Sequence, residues 1–399
     1  MDLDTLIDMD KKYYMQTFGN RTPVCFVKGE GIHLWDTRGE KYEDFLAGIA
    51  VSALGHSHPA LVQAITDQAK KLIHCSNYYY IESQARLAKL LAENSCCDRV
   101  FFCNSGAEAN EGAIKLARIF YKKKGIENKY EIISLHKSFH GRTLATLAAT
   151  GQEKYKAPYA PLTPTFINVP INDYDALFTA VGDKTCAILL EPIQGEGGVN
   201  LISSEYAQRV RKLCDEKDIL LIFDEVQTGL GRTGKLFGYE HLGIEPDIFT
   251  LAKALGGGVP IGALCAKDFV ASAFEPGDHG STFGGNPLAT SAGYAVLSTI
   301  LNDKLPSRAA TVGKYFMEGI KSLKDKHPLI GEVRGKGLMI GLELTEPLAK
   351  KLHQKLLDKH YLTGAVSDRV LRMLPPLIVT EEEIDGFIKA LDTSLSQLV

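Results

Sequence analysis

Between residue 98 and residue 266 the chain repeats one pattern: a short apolar run, then a longer stretch with apolar residues at helical spacing. The runs are "RVFFC", "YEIISL", "TCAILLE", "ILLIFDE", "DIFTLA" and "GALCA"; the stretches between them include "ANEGAIKLARIFYKKK" and "SEYAQRVRKLCDEK". A strand covered on both faces is apolar throughout rather than alternating, and such strands joined by helices build a mostly parallel sheet. The expected class is therefore α/β. In sheets of this kind ligands sit beyond the carboxyl ends of the strands. Polar residues directly after the apolar runs become the first candidates for chemistry.

The flanks differ. "GIHLWDTRGEKYEDFL" reads as a hairpin around a Thr-Arg-Gly-Glu turn, and "HPALVQAITDQAKKLIH" and "SQARLAKLLAEN" read as amphipathic helices. After about residue 300, "AATVGKYFMEGIKSLKDKH", "GLMIGLEL" and "VLRMLPPL" suggest a smaller α+β unit. A chain of 399 residues exceeds a single core. The expected division is an N-terminal segment (1–44) joining the small domain, a large α/β domain (45–300) and a small C-terminal domain (301–399). A net charge of -3 argues against a nucleic-acid partner. "MDLDTLIDMDKKYY" has no apolar signal core, and no run approaches the roughly 18 residues of a membrane span, so a cytoplasmic protein is expected. The eight cysteines form no CxxC and read as free thiols. His56 and His58 in "LGHSHP" are either a metal pair lacking a third ligand or a turn opening the helix at Pro59; no metal is expected.

Asp224 and Glu225 end one run in "FDEVQTG". A carboxylate there either caps the next turn or anchors a cationic ligand nitrogen. Lys253 ends the next run, directly before three glycines in "TLAKALGGGVPIGA". It is either a snorkelling lysine or an amine that condenses with a carbonyl, which needs a low-dielectric pocket. Asp and Lys on neighbouring strand ends match a pyridoxal phosphate site, the lysine holding the aldehyde and the aspartate the pyridinium nitrogen. A phosphate site should accompany them. "CNSGAEANEGAIKLAR" ends a strand at Cys103 and opens a helix near Ala107, so its first N–H groups and the Ser105 hydroxyl suit a dianion. The same residues also read as a plain N-cap, with Glu108 in the first turn. "GLGRTG" (229–234) fits the dinucleotide spacing G-x-G-x-x-G, but no clean helix follows it, and a flexible loop is expected.

Together, "NSGAEANEGAIKLAR", "SFHGRT", "LLEPIQGEGG", "LIFDEVQTGLGRTG", "TLAKALGGGVPIGA", "GSTFGGNPLA" and "LRMLPPL" resemble, in this order and spacing, the class III (ornithine-type) aminotransferases over nearly the whole chain. The resemblance implies fold type I, with a mostly parallel seven-stranded sheet in the large domain, and a homodimer sharing its active sites. It implies that Lys253 carries the cofactor, that Asp224 meets its ring nitrogen, that Gln227 lies near its phenolic oxygen and that Phe139 stacks on its ring. Ser105, Gly106 and Ala107 would hold the phosphate from one subunit and Thr282 from the other, with Glu225 and Val226 completing the cofactor site. Arg142 would hold the distal carboxylate of the amino donor, and Arg372 the α-carboxylate of 2-oxoglutarate. Glu196 would pair with Arg372 while a donor lacking that carboxylate is bound, and Ser281 would be a further donor contact.

Within the family, "AKALGGGVPIGA" and "GSTFGGNPL" in a chain this compact imply N2-acetylornithine as donor. Ile49 in "AGIAV", where ornithine-specific members resemble each other in carrying a tyrosine, also favours an acylated or simpler donor. Ornithine, succinyl-diaminopimelate and 4-aminobutyrate stay open, as does aminomutase or decarboxylase chemistry. The glycines after Lys253 are expected to let the backbone approach cofactor and neighbouring subunit closely.

Overall fold

The computed structural model describes residues 1–19 and 21–398. The apolar runs become strands of one seven-stranded sheet: β1 (Arg99–Cys103), β2 (Glu131–Leu135), β3 (Phe166–Val169), β4 (Thr185–Leu190), β5 (Leu220–Asp224), β6 (Ile248–Leu251) and β7 (Gly262–Ala266). Their order across the sheet is β1-β7-β6-β5-β4-β2-β3. Neighbours from β6 to β3 run parallel. Strand β7 is antiparallel to both β6 and β1. Every residue of β4, β5, β6 and β7 is buried, which is why those runs are uniformly apolar.

Strand β3 escapes a reading by composition. It is a half-buried edge strand set between Pro164 and Pro170, so its segment looks like a loop. Helix α1 (Gly106–Lys123) lies against β6 and β7 through Ala109, Ala113, Leu116, Ala117 and Phe120, at helical spacing. Each fully buried large side chain on that stripe is worth roughly 1.5–3 kcal/mol.

Two further sheets flank the large one. Strands Ile330–Lys336, Met339–Leu344, Val370–Met373 and Gly364–Ala365 make an antiparallel sheet in the C-terminal part. Strands Phe26–Glu30, His33–Asp36 and Lys41–Asp44 form the N-terminal sheet, and Lys41–Asp44 also pairs in parallel with Tyr361–Leu362. The chain's first strands are thus stitched to its C-terminal third.

"GLGRTG" departs from expectation. Gly229–Thr233 is buried rather than a flexible surface loop. The Arg232 guanidinium donates to the Leu338 carbonyl (2.9 Å) and the Pro375 carbonyl (2.5 Å), and the Arg232 carbonyl accepts from the Leu338 N–H (3.0 Å). The loop is a tether between the large sheet and the C-terminal one. The eight cysteines are all free, and among the described residues no helix is long and apolar enough to cross a membrane.

Candidate active site

The carboxyl ends of β5 and β6 open into a cavity of about 400 Å³. Asp224, the last residue of β5, is buried at its floor. Its Oδ2 accepts from Asn110 Nδ2 (2.7 Å) and lies 2.9 Å from His140 Nδ1, and its Oδ1 accepts from the Val226 N–H (3.0 Å). Asn110 is fixed in turn, because its Oδ1 accepts from Thr250 on β6 (2.7 Å). The carboxylate is therefore held rigidly by groups from β6, α1 and the "SFHGRT" segment.

Lys253 follows β6 by two residues and has a left-handed backbone, φ 44°. A non-glycine residue there is strained, and such strain persists only where the surroundings enforce it. Burial pulls the Lys253 amine down to about 8; Glu196 opposes the shift, Arg372 adds to it, and Asp224 and Glu191 oppose it. The carboxylates are otherwise engaged: Glu196 pairs with Arg372, and Asp224 with His140. The result is an amine in a low-dielectric pocket, poised near neutrality. The glycines behind it serve the turn itself. A Cβ on Gly256 would lie 1.9 Å from the Val259 carbonyl oxygen, and one on Gly257 would lie 2.7 Å from Leu61. Gly257 also has φ 58°. For Gly256 and Gly257 the need for no side chain arises within this chain, while Gly258 lines the cavity with open space where a Cβ would stand.

At the other side of the cavity stands the start of α1. Ser105 is the N-cap, its Oγ accepting from the Glu108 N–H (3.1 Å), while Glu108 closes back on the Asn104 N–H (2.6 Å). The N–H groups of Gly106 and Ala107 have no place in the helix ladder, and both residues line the cavity. A Cβ on Gly106 would lie 2.9 Å from Val226, another lining residue, so the cradle is built for glycine. The cap is formed as expected, and it leaves the Gly106 and Ala107 amides open toward the cavity.

Phe139, Arg142, Glu196, Val226 and Gln227 also line the cavity. The Phe139 N–H donates to Glu191 Oε2 (3.0 Å). Arg142 is exposed, with its guanidinium 3.9 Å from the Tyr155 ring centroid. Arg372, buried on the strand Val370–Met373, donates from Nη1 to Glu196 Oε1 (2.6 Å) and Gln227 Oε1 (3.1 Å). Burial raises the Glu196 carboxyl, but Arg372, with Lys253 and Gln227 adding to it, brings that carboxyl below its ordinary value.

Four candidates stand elsewhere. Glu225 turns away from the cavity: its carboxylate accepts from the Thr228 hydroxyl and from the N–H groups of Gly238 (2.9 Å) and Tyr239 (2.8 Å). It fixes the loop behind β5 and, unlike the other residues expected around the cofactor from that loop, does not line the cavity. Ser281 and Thr282 line a separate surface depression, although Asn104 Nδ2 donates to Ser281 Oγ (3.2 Å). Ile49 lies in a left-handed turn and is 38% exposed. Val51, not Ile49, reaches the cavity. That turn is secured by Asp44, which accepts from the N–H groups of Leu46 (2.9 Å) and Ala47 (2.8 Å) and contacts His56 Nε2 (2.8 Å). His56 is thereby accounted for without a metal.

Sequence reasoning missed Asn110, His140 and Glu191. Asn110 lies four residues after Gly106, one helical turn into α1, which was a usable signal. Glu191, directly after β4, satisfied the strand-end rule and was passed over. Burial drives its carboxyl well above the ordinary range, with Asp224 adding to the shift.

The sequence pattern of the family described as "Aminotransferase class-III" matches residues 14–395. The chain belongs to the class III aminotransferases. This aminotransferase is 56% identical to the acetylornithine aminotransferase of Caldanaerobacter subterraneus subsp. tengcongensis, over 98% of this chain and 100% of that one. Its fold superposes on the acetylornithine aminotransferase of Elizabethkingia anophelis with a TM-score of 0.89 at 35% identity, covering 100% of each chain. It superposes on the ornithine aminotransferase of Toxoplasma gondii, crystallised with oxidised glutathione, with a TM-score of 0.92 at 35% identity over 98% and 94% of the two chains. That structure is described as having partial occupancy of PLP at its active site. The aminotransferase uses pyridoxal phosphate, and the cavity fits it: paired open amides and a glycine cradle at α1, an anchored carboxylate on β5, and a low-pKa lysine after β6.

Proposed function

We propose that this enzyme moves the terminal amino group of N2-acetylornithine to 2-oxoglutarate, giving N-acetylglutamate 5-semialdehyde and glutamate. The observation that carries the reading is the Glu196–Arg372 pair at 2.6 Å beside the Lys253 amine.

A donor reacting through a terminal amine brings no carboxylate next to the reacting carbon. A buried Arg372 would then stand uncompensated, at a cost of several kcal/mol. Glu196 supplies the missing charge. With 2-oxoglutarate the requirement reverses, and Arg372 offers a forked set of donors to the α-carboxylate. Its Nε is buried and without a hydrogen-bond partner among the described residues, so the fork has capacity in reserve. Arg142, at the exposed edge of the cavity, suits the donor's distal carboxylate.

Lys253 would hold the cofactor, Asp224 its ring nitrogen, and Gly106 and Ala107 its phosphate, with Phe139 and Gln227 beside the ring. When bound, pyridoxal phosphate supplies an electron sink for the carbanion left after proton removal. Lys253 Nζ, its proton affinity lowered by burial, would take the proton from the amine-bearing carbon and pass it to the cofactor carbon that receives the amino nitrogen. Asn110 and His140 keep Asp224 from swinging out of line.

The reading includes a homodimer in which Thr282 completes the partner's phosphate site, and a reducing cytoplasmic setting, which suits eight unpaired cysteines. Ranking acetylornithine, ornithine, succinyl-diaminopimelate and 4-aminobutyrate by kcat/KM with 2-oxoglutarate tests the proposal. Acetylornithine should lead. Preference for another donor, or product without glutamate, overturns it.

A further inference from the structure

The Glu196–Arg372 pair does not stand alone. Gln227, buried between them, accepts from Arg372 Nη1 through Oε1 (3.1 Å) and donates from Nε2 to Glu196 Oε1 (3.4 Å). The opposite orientation of the carboxamide would set NH2 against guanidinium and oxygen against carboxylate, so the chemistry fixes which way it faces. Arg372, Glu196 and Gln227 thus close a triangle of hydrogen bonds, two of its sides made by one amide.

The amide has room there because of Gly195. A Cβ at that position would lie 2.1 Å from Gln227 Oε1, 2.4 Å from Cδ and 2.7 Å from Nε2. Gly195 is not among the residues with left-handed backbone, so its conformation is open to alanine. The glycine is therefore needed for the space it leaves to Gln227, not for its φ.

We infer that Gly195 is a specificity-determining position: by seating Gln227 across the Glu196–Arg372 pair, it sets how readily Arg372 is released to a dicarboxylate acceptor. The inference rests on the reading of Arg372 given above. Glu196 leaves Arg372 by breaking its bond to Nη1 and its bond to Gln227 together, so the amide adds to the stability of the closed arrangement. The donor uses the closed arrangement and the acceptor the open one. If the open state is minor, a ligand that needs it binds with an affinity proportional to its population. Loosening the lock should tighten the acceptor and leave the donor nearly unchanged.

Gly195→Ala is the direct test. The clash falls on the mobile end of one side chain, which can turn aside. In the holoenzyme, glutarate, an unreactive dicarboxylate, should bind about three- to tenfold tighter by calorimetry, the range expected for losing one ordinary hydrogen bond. The KM for 2-oxoglutarate should fall by a similar factor relative to the KM for the donor. In a Gln227→Ala background Gly195→Ala should change glutarate binding no further, since the two act as one unit. Unchanged or weaker glutarate binding overturns the inference, as does an additive double mutant. Should Gly195→Ala fail to fold, Gln227→Ala alone must tighten glutarate by the same factor, or the inference falls. A wild-type enzyme that neither binds glutarate nor consumes 2-oxoglutarate would defeat the proposed function instead.

Discussion

Lys253 concentrates the unfavourable features of the site in one residue: left-handed backbone, burial, and a charge with no carboxylate of its own. In cofactor-free protein this has a signed consequence for stability. The folded amine titrates at about 8 against 10.5 for the exposed group. Between those values the unfolded chain binds more protons, so stability rises with pH; below about 8 the full penalty, about 3 kcal/mol, applies. Lys253→Met, which keeps the bulk without the charge, should therefore be the more stable protein near neutral pH. Its advantage should close between about pH 8 and pH 10.5, as read from urea midpoints across a pH series. A gap that stays constant with pH would show that the amine is not strained by its charge.

At the scale of elements, what could be read from the sequence follows from where each segment is buried. Strands β4 to β7 announced themselves because burial on both faces leaves a uniform apolar run. Strand β3 did not, since an edge strand needs only one covered face. Asp224 and Lys253 were legible as polar residues at strand ends, and the start of α1 as a cap. Asn110 and His140 were hidden because their work is to hold Asp224, a pairing that crosses 114 and 84 residues of chain. Arg232 misled for a related reason. Glycines around an arginine suggest mobility, yet the arginine is 2% exposed and donates from Nη1 to two carbonyls that flank strands of the C-terminal sheet. Arg232→Ala leaves the Leu338 and Pro375 carbonyls unpaired in a buried joint and opens a cavity there, so it should cost about 3–5 kcal/mol of unfolding free energy, read from urea denaturation. Pro375 follows Arg372 by three positions, and the KM for 2-oxoglutarate should rise in the same variant. A loss under about 1 kcal/mol would show that the tether is dispensable.

The whole molecule poses the remaining question, because one chain leaves Thr282 outside the cavity it is proposed to serve. Its loop is held by Asn77, which donates to the carbonyls of Ser281 (3.1 Å) and Gly284 (2.9 Å). Around it Tyr78, Tyr79, Tyr80 and Phe283 stand exposed, Tyr80 completely so. A patch of large aromatics is costly to leave in water and fits a surface that a second copy covers. If the sites are shared, each needs Lys253 from one chain and Thr282 from the other. Lys253→Ala and Thr282→Glu would then each be inactive as pure proteins, the first lacking the amine and the second placing a negative charge against the phosphate. Mixed and allowed to exchange, they should recover activity. The heterodimer joins the intact Lys253 of one chain to the intact Thr282 of the other at one of its two sites, so equal mixing predicts roughly a quarter of wild-type activity. If Thr282 instead served its own chain's site, both sites of the heterodimer would be defective and mixing would restore nothing.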